Sequence, residues 1–158
     1  MIAGEGCDPR EILAVEALRS GARVRLQVRG ESMLPTLWPG DAVEIEASDI
    51  PHVTCGEIVL VGRDQRLFLH RVLTVNNDGR IVTRGDSMPR PDPIGQQYLG
   101  KLVRVFRGGQ IRSPGALTLW SRAIGQLLCH CDWARRLALK MHQRRNLATG
   151  KLAVPNAV

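Results

Sequence analysis

Six short runs of alternating or β-branched residues follow one another between residues 23 and 106, separated by Gly, Pro, Asn and Asp. They read RVRLQVR, AVEIEA, EIVLVG, RLFLHRVLTV, RIVTRG and YLGKLVRVF. Runs of this length and alternation, bounded by turn residues, are typical of β-strands. The sequence therefore predicts a mainly β core, and a chain of 158 residues suits a single domain with appendages.

A short helix is predicted in front of the first strand. Asp8 is suited to the N-cap and Pro9 to the first helical position, and apolar residues recur at helical spacing as far as Arg19. We therefore expect a helical segment at 1–22 and a β domain at 23–112.

Helical periodicity returns after the β domain. Over residues 113–146 the apolar and basic side chains fall on opposite sides of a helix. The apolar side consists of Leu117, Trp120, Ile124, Leu127, Leu128, Cys131, Ala134, Ala138 and Met141. The basic side consists of Arg122, Arg136, Lys140 and Arg144. We expect an amphipathic helix that either packs on the β core or lies on a membrane surface or a partner, followed by a disordered tail at 147–158.

Charge is divided unevenly along the chain. Residues 1–100 hold 11 Lys or Arg against 14 Asp or Glu, whereas residues 101–158 hold 11 against 1. Attraction to anionic lipid is therefore expected in the C-terminal part, as peripheral membrane contact through 113–146. The mildly acidic main domain argues against a nucleic-acid partner. The sequence does not indicate an oligomeric state.

Localisation and cofactors are predicted from the same composition. No basic region followed by an apolar run marks a secretory signal, and no uncharged stretch approaches the roughly 20 apolar residues that span a bilayer. The 4 cysteines are scattered, which suits reduced thiols in the cytoplasm. Cys129 and Cys131 have the wrong spacing for a zinc knuckle, so neither a metal nor another cofactor is expected.

The segment VNNDGRIV carries an Asp-Gly signal for a tight hairpin between the fourth and fifth predicted strands. With the turn within residues 76–79, counting outward places His70 opposite Gly85, Asp86 and Ser87, within one residue. A histidine and an aspartate that are distant in sequence thereby become cross-strand neighbours if their side chains share a face.

Three motifs in the β region carry candidate chemistry. They read GESMLPTLWPGD at 30–41, LHRVL at 69–73 and TRGDSMPRPD at 83–92. Together they resemble the motifs of the signal peptidase I superfamily, which shares a β fold with LexA-like repressors. The closest resemblance is to the Ser-His branch of archaea and the endoplasmic reticulum, and it covers residues 24–106.

The resemblance implies a LexA/signal-peptidase-like β fold and roles for four residues. Ser32 matches the nucleophile, His70 the general base, and Asp86 or Asp92 the group that orients the histidine. The chemistry of these residue types agrees with those roles. A serine hydroxyl is a poor nucleophile until a base takes its proton, and a histidine side chain, with an unperturbed pKa of about 6.5, is neutral and available at pH 7.

Three other residues compete for these roles. Other members of the superfamily use a lysine in the place of His70, but Lys101 follows the last motif, so a Ser-His pair is favoured. Ser87 repeats the Gly-x-Ser-Met pattern without the following Pro-Thr and ranks below Ser32. Cys55 is a possible thiol nucleophile, although a small residue at a strand start is the simpler interpretation.

We therefore expect a serine endopeptidase of signal-peptidase-like type that cleaves a leader or precursor peptide. One alternative is a LexA-like regulator that cleaves itself, although the residues before the first strand are too few for a DNA-binding domain. The other is a non-catalytic peptide-binding module. The resembling peptidases usually carry a transmembrane anchor, and here the basic segment 113–146 is the expected means of contact with the inner face of the membrane.

Overall fold

The structure is a computed structural model that describes residues 8–49, 52–64, 66–76 and 78–114, together with 124, 125, 127, 136, 139 and 140. Within these residues the chain forms one long antiparallel sheet of seven strands and one helix in front of it. The mainly β prediction is therefore confirmed. The predicted helix over 113–146 lies almost entirely outside the described residues, and the predicted tail over 147–158 lies wholly outside them.

The strands occupy the positions that the alternating runs predict. In chain order they are β1 (Val24–Gln27), β2 (Ala42–Glu46), β3 (Ile58–Arg63), β4 (Arg66–Val75), β5 (Ile81–Arg84), β6 (Gln97–Arg107) and β7 (Gln110–Arg112). Their order across the sheet is β1-β2-β6-β3-β4-β5, and β7 pairs with β6. Strand β7 was not predicted. Its signal is the pair Gly108 and Gly109, whose φ angles of 56° and 77° suit a tight hairpin turn.

The helix α1 (Pro9–Arg19) begins and ends where the sequence predicts. The Asp8 carboxylate accepts the Arg10 backbone N–H at 3.0 Å, which caps the helix and lowers the pKa of Asp8. Ala14 and Leu18 are buried and attach the helix to the sheet. In the described part of the chain, no helix has the length and apolar character needed to cross a bilayer.

The core lies on both faces of the sheet, and β3 contributes to each. Ile58 and Leu60 belong to one apolar cluster, which also holds Leu18 of α1, while Val59 and Val61 belong to a second cluster. Successive side chains of a strand point to opposite faces, so a strand that is buried on both faces needs a continuous apolar run. This requirement explains the unbroken IVLV sequence of β3.

The β4–β5 hairpin brings the second and third motifs together. Arg71 pairs with Arg84 and Val72 with Thr83, and a β-bulge follows between Val72 and Thr74. This register agrees with the prediction that His70 lies beside the residues that follow β5. The loop over 85–92 therefore starts next to the candidate base.

Candidate active site

Ser32 lies in a tightly anchored loop between β1 and β2. The loop closes on itself through hydrogen bonds from the Leu34 N–H to the Glu31 carbonyl and from the Leu37 N–H to the Met33 carbonyl. The side chains of Met33, Leu34 and Leu37 are buried, whereas Ser32 stays partly exposed. The apolar residues of the first motif therefore fix the backbone around a serine that remains accessible.

His70 connects this serine to an aspartate of the third motif. It lies in β4 with 5% of its surface exposed. Its Nε2 atom is 3.0 Å from Ser32 Oγ, and its Nδ1 atom is 2.5 Å from Asp92 Oδ2. The neutral tautomer with its proton on Nδ1 satisfies both contacts, because it donates a hydrogen bond to Asp92 and accepts one from the Ser32 hydroxyl at Nε2.

Asp92 is held in this position by Thr83, a buried residue of β5 that the sequence did not single out. The Thr83 hydroxyl donates to Asp92 Oδ2 at 2.7 Å, and the Asp92 backbone N–H donates to the Thr83 carbonyl at 2.8 Å. The end of the loop is thus tied back to the strand from which it departs. In the sequence, the feature that could have indicated this role of Thr83 is its position two residues before the Gly-Asp pair of the third motif.

Asp86, which the hairpin register placed opposite His70, contacts Arg71 instead. Arg71 donates from Nε to Asp86 Oδ1 and from Nη2 to Asp86 Oδ2, each at 2.8 Å, and both side chains are almost fully buried. The Thr36 hydroxyl also donates to Asp86 Oδ2. His70 and Arg71 are consecutive in a strand and point to opposite faces, so the two aspartates of one loop have different partners.

A second ion pair, between the partly exposed Arg107 and the buried Asp41, holds the loop of Ser32 from the opposite end. Arg107 of β6 donates from Nε to Asp41 Oδ1 at 2.8 Å and from Nη2 to the Thr36 carbonyl at 2.9 Å. Asp41 also accepts the Trp38 backbone N–H at 2.8 Å. Thr36 is therefore held through its hydroxyl by Asp86 and through its carbonyl by Arg107. Arg107 lies beyond the three motifs, and nothing in the sequence pattern distinguished it.

The start of the third-motif loop packs directly on the loop that carries Ser32. The Ser87 backbone N–H donates to the Ser32 carbonyl at 2.9 Å, and the Ser87 hydroxyl donates to the Glu31 carbonyl at 2.8 Å. Gly85 leaves no room for a side chain, since a Cβ atom there would lie 2.5 Å from the Ser32 carbonyl oxygen. The structure thus gives Ser87, the rival nucleophile, a buried bracing position.

The other rival residues lie away from this set of contacts. Lys101 Nζ is 3.7 Å from a Glu57 carboxylate oxygen, and Cys55 Sγ is 2.9 Å from the Leu73 carbonyl oxygen. Among the described residues, His, Cys, Asp and Glu side chains form no group of three or more that could hold a metal ion. The Cys-His-Cys motif at 129–131 lies outside the part that is described.

A groove with a volume of about 580 Å³ opens beside Ser32. Its walls come from α1, from β1 with the residues that follow it, and from residues 67–69 of β4. Within the described chain β1 pairs only with β2, and β5 pairs with β4 only from Arg71 onward. Two strand edges without a partner strand therefore belong to the same groove.

Comparison with known proteins gives no match: no protein-family model matches the chain, and no curated protein is similar to it in sequence. The function of the site is therefore argued from its own geometry and chemistry. The arrangement combines a partly exposed hydroxyl, an imidazole in contact with it, a carboxylate behind the imidazole and an adjoining groove.

Proposed function

We propose that this protein is a serine endopeptidase with a LexA/signal-peptidase-like β fold, and that it cleaves a leader or precursor peptide. The observation that carries the proposal is the line of contacts from Ser32 Oγ to His70 Nε2 at 3.0 Å and from His70 Nδ1 to Asp92 Oδ2 at 2.5 Å. A hydroxyl, an imidazole and a carboxylate in this order form the arrangement that activates serine for acyl transfer.

Each residue then has one role in the reaction. As Ser32 Oγ attacks the carbonyl carbon of the scissile bond, His70 Nε2 takes the hydroxyl proton and later gives it to the leaving amine. Asp92 stays ionised, holds the imidazole in orientation and stabilises its positive charge. A water molecule then attacks the acyl-enzyme, with His70 again acting as base, and restores the Ser32 hydroxyl.

The groove supports an extended peptide as the substrate. A peptide backbone in β conformation can hydrogen-bond to a strand edge that has no partner strand, and here β1 and the first half of β4 both offer such an edge. Since Ser32 belongs to the lining of the same groove, a bond of that peptide is brought to the nucleophile.

Asp86 is a positioning residue in this proposal. It joins Arg71, the neighbour of the base, to Thr36 in the loop of the nucleophile. Because Arg71 and Asp86 are buried and ionic, they resist displacement, and removal of either one leaves the charge of the other uncompensated. The Arg71–Asp86 pair therefore maintains the separation between Ser32 and His70 without taking part in proton transfer.

The test is cleavage of a proteome-derived peptide library, followed by mass spectrometry of new N-termini. We expect the wild type and Ser87→Ala to create the same termini and Ser32→Ala to create none above the uncatalysed level. His70→Ala should match Ser32→Ala, whereas Lys101→Ala should keep most of the activity, because linked catalytic groups fail together. Cleavage by Ser32→Ala at the wild-type rate contradicts the assignment of the nucleophile.

The same incubations separate the two rival functions. A self-cleaving regulator would fragment its own chain with time and leave the library intact. A peptide-binding module would retain peptides without producing new termini, and Ser32→Ala would retain them equally well. Either pattern would replace the endopeptidase proposal.

We further propose that this cytoplasmic peptidase contacts the anionic inner face of the membrane through residues 113–146. The supporting observation is that Ile124 and Leu127, both on the predicted apolar side, are 44% and 59% exposed. Gly125 between them is buried, and a Cβ atom there would lie 2.8 Å from the Asp86 carbonyl oxygen. At these positions the segment meets the backbone of Asp86 through a glycine, and the side chains of Ile124 and Leu127 stay available to lipid.

A further inference from the structure

The helix α1 forms a wall of the groove that contains Ser32. Leu13, Ala14 and Ala17 belong to the lining, and Leu13 is 69% exposed. The two alanines have short side chains, so the space next to Leu13 stays open. Ile12, the preceding residue, is 49% exposed and lines a separate cavity of about 330 Å³ on the other side of the helix.

This wall is connected to the loop of Ser32 by one exposed ion pair and is anchored in the core at its other end. The Asp8 carboxylate that caps α1 also pairs with Arg29 Nη1 at 3.4 Å, and Arg29 lies three residues before Ser32. At the other end of the helix Leu18 is buried in the main apolar cluster. The position of Leu13 is therefore set by the same parts of the molecule that set the position of Ser32.

The opposite wall is also apolar. Leu67, Phe68 and Leu69 of β4 line the groove and are half-buried, and the Phe68 ring lies 5.9 Å from the His70 ring between centroids. The charged residues of the lining carry both signs, with acidic and basic side chains that include the paired Asp8 and Arg29. With two acidic side chains against three basic ones, the lining has a net charge of only +1. Charge therefore contributes little to recognition, and the apolar walls favour an apolar side chain.

We propose that Leu13 is a specificity-determining residue, which selects substrate peptides that carry a large apolar side chain near the cleaved bond. The inference rests on the proposed peptidase function and concerns the substrate class of the same site. A peptide between β1 and β4 buries such a side chain against Leu13 on one side and the apolar residues of β4 on the other. Burial of Leu13 by the bound substrate then offsets the free-energy cost of exposing this side chain to water in the free protein.

The experiment compares Leu13→Ser with Ile12→Ser in the peptide-library assay. The two substitutions remove similar exposed apolar side chains from neighbouring positions of one helix, but only Leu13 lines the groove of Ser32. We expect wild-type cleavage sites to be enriched in Leu, Ile, Phe or Met at one position. In Leu13→Ser the enrichment should disappear, with kcat/KM about tenfold lower for those peptides and unchanged for peptides with Ala there. Ile12→Ser should behave as the wild type.

Circular dichroism establishes that both variants are folded, which their exposure leads us to expect. Cleavage by Leu13→Ser with the wild-type preference overturns the inference and leaves the peptidase proposal standing. A wild type that cleaves nothing in the library overturns the peptidase proposal, and the inference fails with it. A wild-type dimer that Leu13→Ser converts to a monomer also overturns the inference, because Leu13 then belongs to an interface between two copies.

Discussion

Asp86 and Asp92 lie six residues apart in one loop and contact different partners. Asp92 touches the imidazole that touches Ser32, whereas Asp86 neutralises the buried Arg71. The same substitution at the two positions should therefore affect different properties. This difference gives a test that does not depend on knowing the natural substrate.

We expect Asp92→Asn to lower kcat on the best library peptide by a factor of about 10⁴, since an amide no longer stabilises the imidazolium or its correct tautomer. Asp86→Asn should instead lower the free energy of unfolding by about 3 kcal/mol or more, because it leaves the Arg71 charge buried without a counter-charge. Peptide kinetics and urea unfolding of both variants provide the measurement. Equal effects of the two variants on both quantities would contradict the division of roles.

At the scale of the elements, α1 and six of the seven strands could be predicted because alternation and capping are local properties of the sequence. The choice between the two aspartates could not be predicted. It depends on the path of the loop between Asp86 and Asp92, and on the opposite directions of His70 and Arg71. Arg107 escaped prediction for a similar reason, since its partner Asp41 is 66 residues away along the chain.

The contact between the third-motif loop and the loop of Ser32 can be tested by adding a side chain at Gly85. Gly85→Ala should reduce peptide cleavage by two orders of magnitude or more, because its Cβ would lie 2.9 Å from Ser32 Cβ and must displace the nucleophile. The control is Gly62→Ala in β3, outside the lining of the Ser32 groove, where the atom nearest to an added Cβ, Leu99 Cδ1, would lie at an ordinary contact distance of 3.5 Å.

Cleavage rates of both glycine variants, with thermal unfolding to verify their folding, provide the measurement. Gly62→Ala should remain close to the wild type. If Gly85→Ala cleaves as fast as Gly62→Ala, the two loops do not hold Ser32 in the way the structure describes.

At the scale of the whole molecule, charge and apolar exposure coincide in the C-terminal part. Residues 101–158 carry 11 basic residues against 1 acidic residue, and Ile124 and Leu127 are exposed there. Basic residues near an anionic bilayer contribute about 1 kcal/mol each, and buried apolar side chains add to this. The combination is suited to reversible attachment at a lipid surface.

We expect the full chain to sediment with vesicles of anionic phospholipid and to be released by high salt. The double variant Ile124→Ser, Leu127→Ser should bind about tenfold more weakly, because it removes apolar contact and keeps the charge. The control is Ile94→Ser, which removes an 82% exposed side chain from the β domain. Sedimentation of the double variant equal to that of the control would contradict the membrane proposal.

In the proposed peptidase, the alternation of His70 and Arg71 along β4 also makes activity depend on the register of the sheet. If β4 shifted by one residue so that Arg71 took the place of His70, every side chain would move to the other face, and a guanidinium would stand where the imidazole belongs. A guanidinium stays protonated and cannot remove a proton from serine. A chain assembled in that register would therefore lack the proposed base, so cleavage of a peptide would also report that the strands of the sheet are correctly paired.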